Sequence, residues 1–344
     1  MRMRCLQASR NAVLALLMVA ATACSGGGTA DSTPTGITGG PSPRVALVLP
    51  GSADDRGFNQ AAYEALAILE DEFGAMTAYT ENTPVNQFEQ AFRDYAEQGY
   101  DIVIGQGFEF GDVATRVAPD YPDVTFFVTN NPDVAGPNLQ GLQPASWEAA
   151  YLAGLAAGLA SETGKIGGIA GQEFPVIVAQ MEAFKLGAEA VNPDADVRLT
   201  YLGTFEDVEK AKETARAMIS DGVDVLYHIA DAAGLGVIQA ADEAGVLAIG
   251  WGKDQYEVAP DTVFTSEIVD QTTMIVEAVR SVVDGTFSPD QARTFELDTP
   301  VVGLAPVRVV PDEVASEIES AVEDARSKII AGELQVPFIP EPSS

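Results

Sequence analysis

The residues best suited to chemistry recur in one arrangement, an aromatic or two set beside carboxylates and amides. The segments are Asp54-Asp55-Arg56-Gly57-Phe58-Asn59-Gln60, Gly105-Gln106-Gly107-Phe108-Glu109-Phe110, Thr129-Asn130-Asn131, Gly171-Gln172-Glu173-Phe174-Pro175, Gly203-Thr204-Phe205-Glu206-Asp207, His228-Ile229-Ala230-Asp231 and Trp251-Gly252-Lys253-Asp254-Gln255. Aromatic faces stack a flat ligand, while carboxylates and amides fix its hydroxyls or ring nitrogens. A mixed apolar and polar lining of this kind is what a small-molecule pocket needs. Each residue also has a plainer use. Phe58 can be core, Asp55 can cap a helix, His228 can be a satisfied buried histidine and Trp251 can be packing. The reading rests on their coincidence. Catalytic patterns are weak by comparison. The chain has one histidine, no Gly-x-Ser-x-Gly elbow, no third glycine after Gly105-Gln106-Gly107, no Walker loop and no metal-ligand spacing. The expectation is a binding protein, not an enzyme, with no catalytic residue, no cofactor and no metal.

These segments fall just after predicted strands. Short aliphatic runs such as Arg44–Leu49, Asp101–Gly105 and Val124–Val128 read as buried parallel strands. Between them, helical spacing over Gly57–Phe73 and Gln87–Gln98 is stopped by Gly74 and Gly99. A second series runs from the Ala/Gly-rich helix Ser146–Ser161, built for close packing, through strands at 165–170, 197–201, 224–228 and 247–251. Further elements are expected at 262–266, 269–283, 294–297 and 311–330. Strands alternating with helices imply parallel sheets joined by right-handed crossovers. Two series imply an α/β protein with two doubly wound lobes. Ligands of such sheets bind beyond the carboxyl ends of the strands.

The amino-terminal end carries a different signal. Arg2, Arg4 and Arg10 precede the apolar run Val13–Ala20, then Ala21-Thr22-Ala23 and Cys24. A basic start, a short apolar core and small residues before a cut make a secretory signal over 1–23. The run is too short for a membrane span of about 20 residues. A cysteine directly after the cut resembles a bacterial lipobox, which implies that Cys24 is acylated and tethers the protein outside the cytoplasmic membrane. Residues 24–43 are Gly, Ser, Thr and Pro and read as a flexible tether. The folded part, from Arg44 to about Phe338, is too long for one ordinary core. A hydrophobic fraction of 47% supports a well-packed body. The formal charge of −32 makes nucleic acid and anionic lipid surfaces poor partners through like-sign repulsion.

Several motifs together resemble the basic membrane protein family, the substrate-binding lipoproteins of ABC importers that include purine nucleoside receptors. The strongest are Asp54–Gln60, Ile104-Gly105-Gln106-Gly107-Phe108, and Ala150-Tyr151-Leu152-Ala153-Gly154 leading to Thr163-Gly164-Lys165-Ile166-Gly167. Gly203–Asp207, His228-Ile229-Ala230 with Gly234-Leu235-Gly236-Val237, and Lys253-Asp254-Gln255 before Thr265-Ser266 complete the set. The resemblance implies a type I periplasmic-binding-protein fold, with two lobes joined by a three-crossover hinge and closing on a ligand. The lobes are expected at 44–142 with 254–286, and at 143–253 with 287–338.

Carried over by position, Asp55, Phe58 and Asn59 would line the cleft from the first lobe and Phe205 would stack from the second. Phe108 and Ala230 would sit near the base. Three charged contacts usual in nucleoside receptors are replaced, by Asn130 or Thr129, by Gly252 and by Val269. Trp251 and Asp231 can compensate, and Phe174 and Asp254 stand at the same rim. The implied ligand is a small polar solute, a nucleoside or related flat heterocycle. The implied partners are an ABC permease and the membrane through the lipid anchor, with the protein a monomer. A ligand sensor signalling to a membrane kinase or regulator is the alternative on the same fold.

Overall fold

The structure, a computed structural model, describes residues 42–342 with the exception of Arg56. Cys24, the signal segment and nearly all of the tether lie outside the described residues. The chain alternates as its periodicity predicts: β1 (Arg44–Val48), α1 (Phe58–Phe73), β2 (Met76–Thr80), α2 (Phe88–Glu97), β3 (Ile102–Gly105), α3 (Gly111–Val117) and β4 (Thr125–Thr129). Next come β5 (Ala135–Gly136), β6 (Leu139–Pro144), α4 (Ser146–Ala160), β7 (Lys165–Ala170), α5 (Pro175–Val191), β8 (Asp196–Tyr201) and α6 (Val208–Ser220). The remainder is β9 (Val225–Ile229), α7 (Asp231–Ala244), β10 (Leu247–Gly252), β11 (Val263–Val269), α8 (Gln271–Val283), β12 (Arg293–Phe295), β13 (Val302–Leu304) and α9 (Asp312–Ile330).

Two sheets result. The 7-stranded sheet has the order β12-β6-β4-β3-β1-β2, with β5 beside β6, and the 6-stranded sheet has the order β13-β11-β10-β9-β7-β8. Every pairing is parallel except β5 with β6 and β11 with β13. The two-residue repeat of β1 shows why such strands are aliphatic throughout. Val45 and Leu47 face a core completed by α1 and α8, through Ala62, Leu69, Met274 and Ile275. Ala46 and Val48 face the opposite core, where Phe88, Phe92 and Phe110 stack. A strand covered by helices on both sides has no polar face. In the second sheet Tyr227 and Ile229 meet α4 and α5, while Leu226 meets α6 and α7.

The close packing expected of the Ala/Gly-rich helix is present in α4 against α5. A Cβ on Gly154 would lie 2.0 Å from the Phe184 carbonyl oxygen, and one on Gly187 would lie 2.1 Å from that of Tyr151. Only glycine at both places lets the two backbones approach so closely.

The strand pairings correct the expected lobe boundaries. The resemblance places residues 254–286 in the first lobe, yet β11 pairs with β10 (Ile249 with Thr265, Gly250 with Ser266) and so belongs to the second sheet. Conversely β12, grouped with the second lobe, pairs with β6 of the first sheet (Arg293 with Leu142). The chain therefore crosses between sheets after β6, after β11, and between β12 and β13. Alternating patterns show that an element is a strand; its partner is chosen by tertiary packing. β6 itself has no counterpart in the pattern reading. Leu139-Gln140-Gly141-Leu142-Gln143-Pro144 is wholly buried, and its polar residues hide the strand. Gln140 is satisfied there because its Nε2 donates to the carbonyls of Ser288 and Gln291, at 2.6 and 3.1 Å.

Candidate functional site

The site begins at the amino terminus of α1. Asp55 Oδ1 accepts from the backbone N–H of Gly57 (2.9 Å) and Gln60 (3.0 Å). Its Oδ2 accepts from Asn59 N (3.0 Å) and Asn59 Nδ2 (2.8 Å). The carboxylate is thus engaged with the unpaired N–H groups of the helix end. Asn59 is buried at 8% exposure, and its Oδ1 faces Gly51 N at 3.4 Å. Two of the three residues expected from this motif are therefore held by the fold itself, and Phe58 is left to face open space.

That space is a cavity of about 860 Å³ between α1 and the start of α8 on one side and the ends of β9, β10 and β11 on the other. Four of the sequence-derived candidates line it: Phe58, Asp231, Trp251 and Asp254. Gly252 and Val269, where charges were expected to be replaced, line it too. Asp55, Asn59, Phe108, Asn130, Phe174, Phe205 and Ala230 are not part of its lining. Phe108 is half-buried and opens the turn after β3, where its carbonyl accepts from Asn131 Nδ2 at 3.0 Å. Asn130 follows β4 in a turn, with φ 55 and a buried Oδ1 that has no partner among the described residues. Phe174 is 40% exposed, and its ring lies 6.2 Å from that of Phe205. Phe205 packs over Gly171, and its carbonyl accepts from Ala233 N at 2.9 Å, which ties it to the first turn of α7. Ala230 is fully buried ahead of α7.

Trp251 is held at two points, and the second of its partners is itself anchored. Its indole Nε1 donates to Gln180 Oε1 (3.1 Å), its backbone N donates to Gln255 Oε1 (3.0 Å), and Gln255 N donates to Ser266 Oγ (3.0 Å). His228 Nε2 also lies 2.8 Å from Gln255 Oε1. An amide oxygen accepts, so this network assigns the histidine proton to Nε2. Burial pushes the His228 pKa down to about 4, against the Gln255 hydrogen bond, so the ring is neutral. His228 braces the aromatic wall. Gln180 could not be singled out from sequence, because nothing in a lone glutamine on a helix announces its partner, and Gln255, although in a rim segment, gave no sign of its bracing role.

The charges in the lining are mostly occupied. Lys253 Nζ pairs with Glu64 Oε2 at 2.6 Å across the cavity. Asp254 pairs with Arg308 at 2.9 Å. Asp270 caps α8, accepting from Thr273 N (2.9 Å) and Thr273 Oγ1 (2.6 Å). Asp231 differs. It opens α7 with φ 44, and its buried Oδ1 has no partner among the described residues. Burial, and then the Asp55 charge, push its pKa up to about 7. Among the described residues no group of three or more His, Cys, Asp or Glu could hold a metal ion.

An aromatic-walled cavity between the first helix of one α/β lobe and the carboxyl ends of the other lobe's strands is the architecture of a solute-binding protein. The family model for PnrA-like ABC transporter substrate-binding proteins, Bmp, matches residues 42–339. The chain belongs to the Bmp family. It is 31% identical over 310 residues to basic membrane protein A of Borreliella burgdorferi, covering 88% of this chain and 90% of that one. It is 31% identical over 305 residues to the ABC transporter nucleoside-binding protein BmpA of Lactococcus lactis, covering 83% and 86%. A solved ABC-transporter solute-binding protein from Aeropyrum pernix superposes with a TM-score of 0.75 at 23% identity, over 86% of this chain and 94% of that one. The last likeness shows the type I solute-binding fold. Family membership makes the chain a substrate-binding component of an ABC transporter. No helix among the described residues is long and apolar enough to cross a membrane.

Proposed function

We propose that this protein captures a flat, polar solute, with nucleosides as the leading class, and delivers it to an ABC permease from the outer side of the cytoplasmic membrane. The observation that carries the reading is the pairing of Phe58, on α1, with Trp251, at the end of β10, as walls of one cavity fed by both lobes. Two aromatic walls suit a planar heterocycle, and the nucleoside-binding relative supports that class. Phe174 and Phe205, 6.2 Å apart at the rim of the second sheet, supply further aromatic surface close to α7. Phe108 and Asn130 occupy the facing strand ends of the first sheet. The site binds without chemistry: His228 is neutral and committed to Gln255. Cys24 carries the lipid anchor, and the protein works as a monomer.

Calorimetry with a panel of nucleosides, free bases and sugars tests the reading. Saturable binding of a nucleoside is expected. A panel without any binding removes the nucleoside assignment.

A further inference from the structure

The site contains one group that solute capture alone leaves unexplained. Asp231 opens α7, between strands of the second sheet. Gly57 precedes α1, between strands of the first. The two meet across the lobes, so tightly that a Cβ on Gly57 would sit 3.3 Å from Asp231 Oδ1. Two residues before Gly57 stands Asp55, whose carboxylate is anchored by its hydrogen bonds to α1 and cannot turn away. Asp231 is itself in the left-handed region, at φ 44, and its Oδ1 is shut from solvent without a hydrogen-bond partner among the described residues. Asp231 as a whole is half-buried, but a carboxylate with one oxygen shut from solvent and facing a like charge is disfavoured relative to its protonated form.

We propose that Asp231 and Asp55, carried by opposite lobes and brought together where the lobes meet, form a proton-operated latch. Closure takes up one proton from solvent at Asp231, and the closed form gives way to the open one when that proton is lost. The latch rests on the reading of the lobes as a closing pair.

Among the described residues the surrounding charges do not relieve the contact. On α1, Glu64 is paired with Lys253. At the end of β9, His228 is neutral. After β10, Asp254 is paired with Arg308. Ahead of α8, Asp270 is a cap. Arg56 lies outside the described residues. Asp231 titrates from 3.8 when solvated to about 7 when closed. Below that window both forms hold the proton, within it only the closed form does, and above it neither does. The closed form is therefore most favoured at acid pH and loses about tenfold per pH unit across the window, levelling off above it. Glu148, close to the first crossover, is also pushed up to about 7, by burial first and then by Glu296 and Asp298. The wild-type curve by itself therefore does not decide the matter; the comparison with a variant does.

Small-angle scattering of the purified full chain without ligand, from acid to mildly alkaline pH, gives the deciding comparison. The wild type is expected to expand as pH rises through the window. Asp231→Asn, neutral at every pH and well suited to a left-handed φ, is expected to stay compact. Guanosine calorimetry in two buffers of different ionisation enthalpy is expected to show proton uptake by the wild type at neutral pH and none by the variant. Carbon NMR of the Asp231 carboxyl supplies a readout within the wild type itself, with a midpoint near neutrality expected. A variant that expands like the wild type, or a wild type with no proton uptake and an ordinary Asp231 titration, overturns the latch. Guanosine binding with a pH-flat affinity removes the latch and leaves solute capture standing. Ligand-free expansion that Asp231→Asn abolishes, in a protein that binds no nucleoside, supports the latch and removes the nucleoside assignment.

Discussion

Lys253 and Glu64 join the two lobes across the mouth of the cavity, with Nζ and Oε2 2.6 Å apart. One sits after a strand of the second sheet and the other on the first helix of the first, so the pair forms only when the lobes are together. Both side chains are substantially exposed, at 52% and 41%. Exposed pairs contribute about 0–1 kcal/mol and are screened by salt. Lys253→Ala is expected to weaken ligand binding by no more than about fivefold, which matches that energy range, with the difference shrinking in high salt. Calorimetry at two ionic strengths checks this, and a salt-independent loss of a hundredfold would show that Lys253 touches the ligand directly.

The aromatic walls should matter more. Phe58→Ala and Trp251→Ala each remove a large flat surface from the cavity, and each is expected to cost about 1–3 kcal/mol of binding. The fold should tolerate both, since neither side chain is fully buried. Affinities measured beside thermal unfolding separate the effects. If both variants bind as the wild type does, the solute lies elsewhere along the cleft, toward Phe174 and Phe205.

Gly154→Ala tests the core of the second lobe. The added methyl would lie 2.0 Å from the Phe184 carbonyl oxygen, so α4 and α5 must separate. Overpacking of this kind costs about 1–3 kcal/mol. A clear fall in the unfolding midpoint is expected, and an unchanged midpoint would show that the helix pair slides apart freely.

Tyr227 and Glu267 form a fully buried pair under α5, the hydroxyl donating to Glu267 Oε2. Burial pushes the Glu267 carboxyl up from 4.5 to about 8, partly opposed by the tyrosine bond. A raised carboxyl contributes stability that is complete below 4.5 and is lost as pH rises through about 8. Stability measured by urea unfolding should therefore fall between about pH 4.5 and pH 8 and level off above that, and Glu267→Gln should flatten that fall. Equal slopes in the two proteins would mean that the carboxyl is not protonated at neutrality.

Cys24 leads to a prediction about address. Cys24→Ser should move the protein from the membrane fraction to the soluble extracytoplasmic fraction and abolish lipid labelling. Persistence of the variant in washed membranes would show an anchor other than a lipid on this cysteine.

The site was only partly legible in the sequence. Aromatics after strands stood out because strand ends are where parallel sheets expose ligand surface. Phe58, Asp231, Trp251 and Asp254 do line the cavity. Asp55 and Asn59 were harder to place, because a carboxylate before a helix looks the same whether it meets a ligand or the helix end. Gln180 was invisible, since its role comes from a contact 71 residues away in the chain, and Gln255 stood in a rim segment without its bracing role being legible.

The sequence by itself determined the alternation of strands and helices, the glycines that bring α4 onto α5 and the aromatic character of the rim. These depend on periodicity and side-chain type, which are local properties of the chain. Tertiary structure alone decided that β11 joins the second sheet and β12 the first, that Asp55 is held by α1, and that Asp231 faces Gly57 across the lobes. Those outcomes depend on which distant surfaces meet, and the free energy of such meetings belongs to pairs of residues that no local pattern brings together.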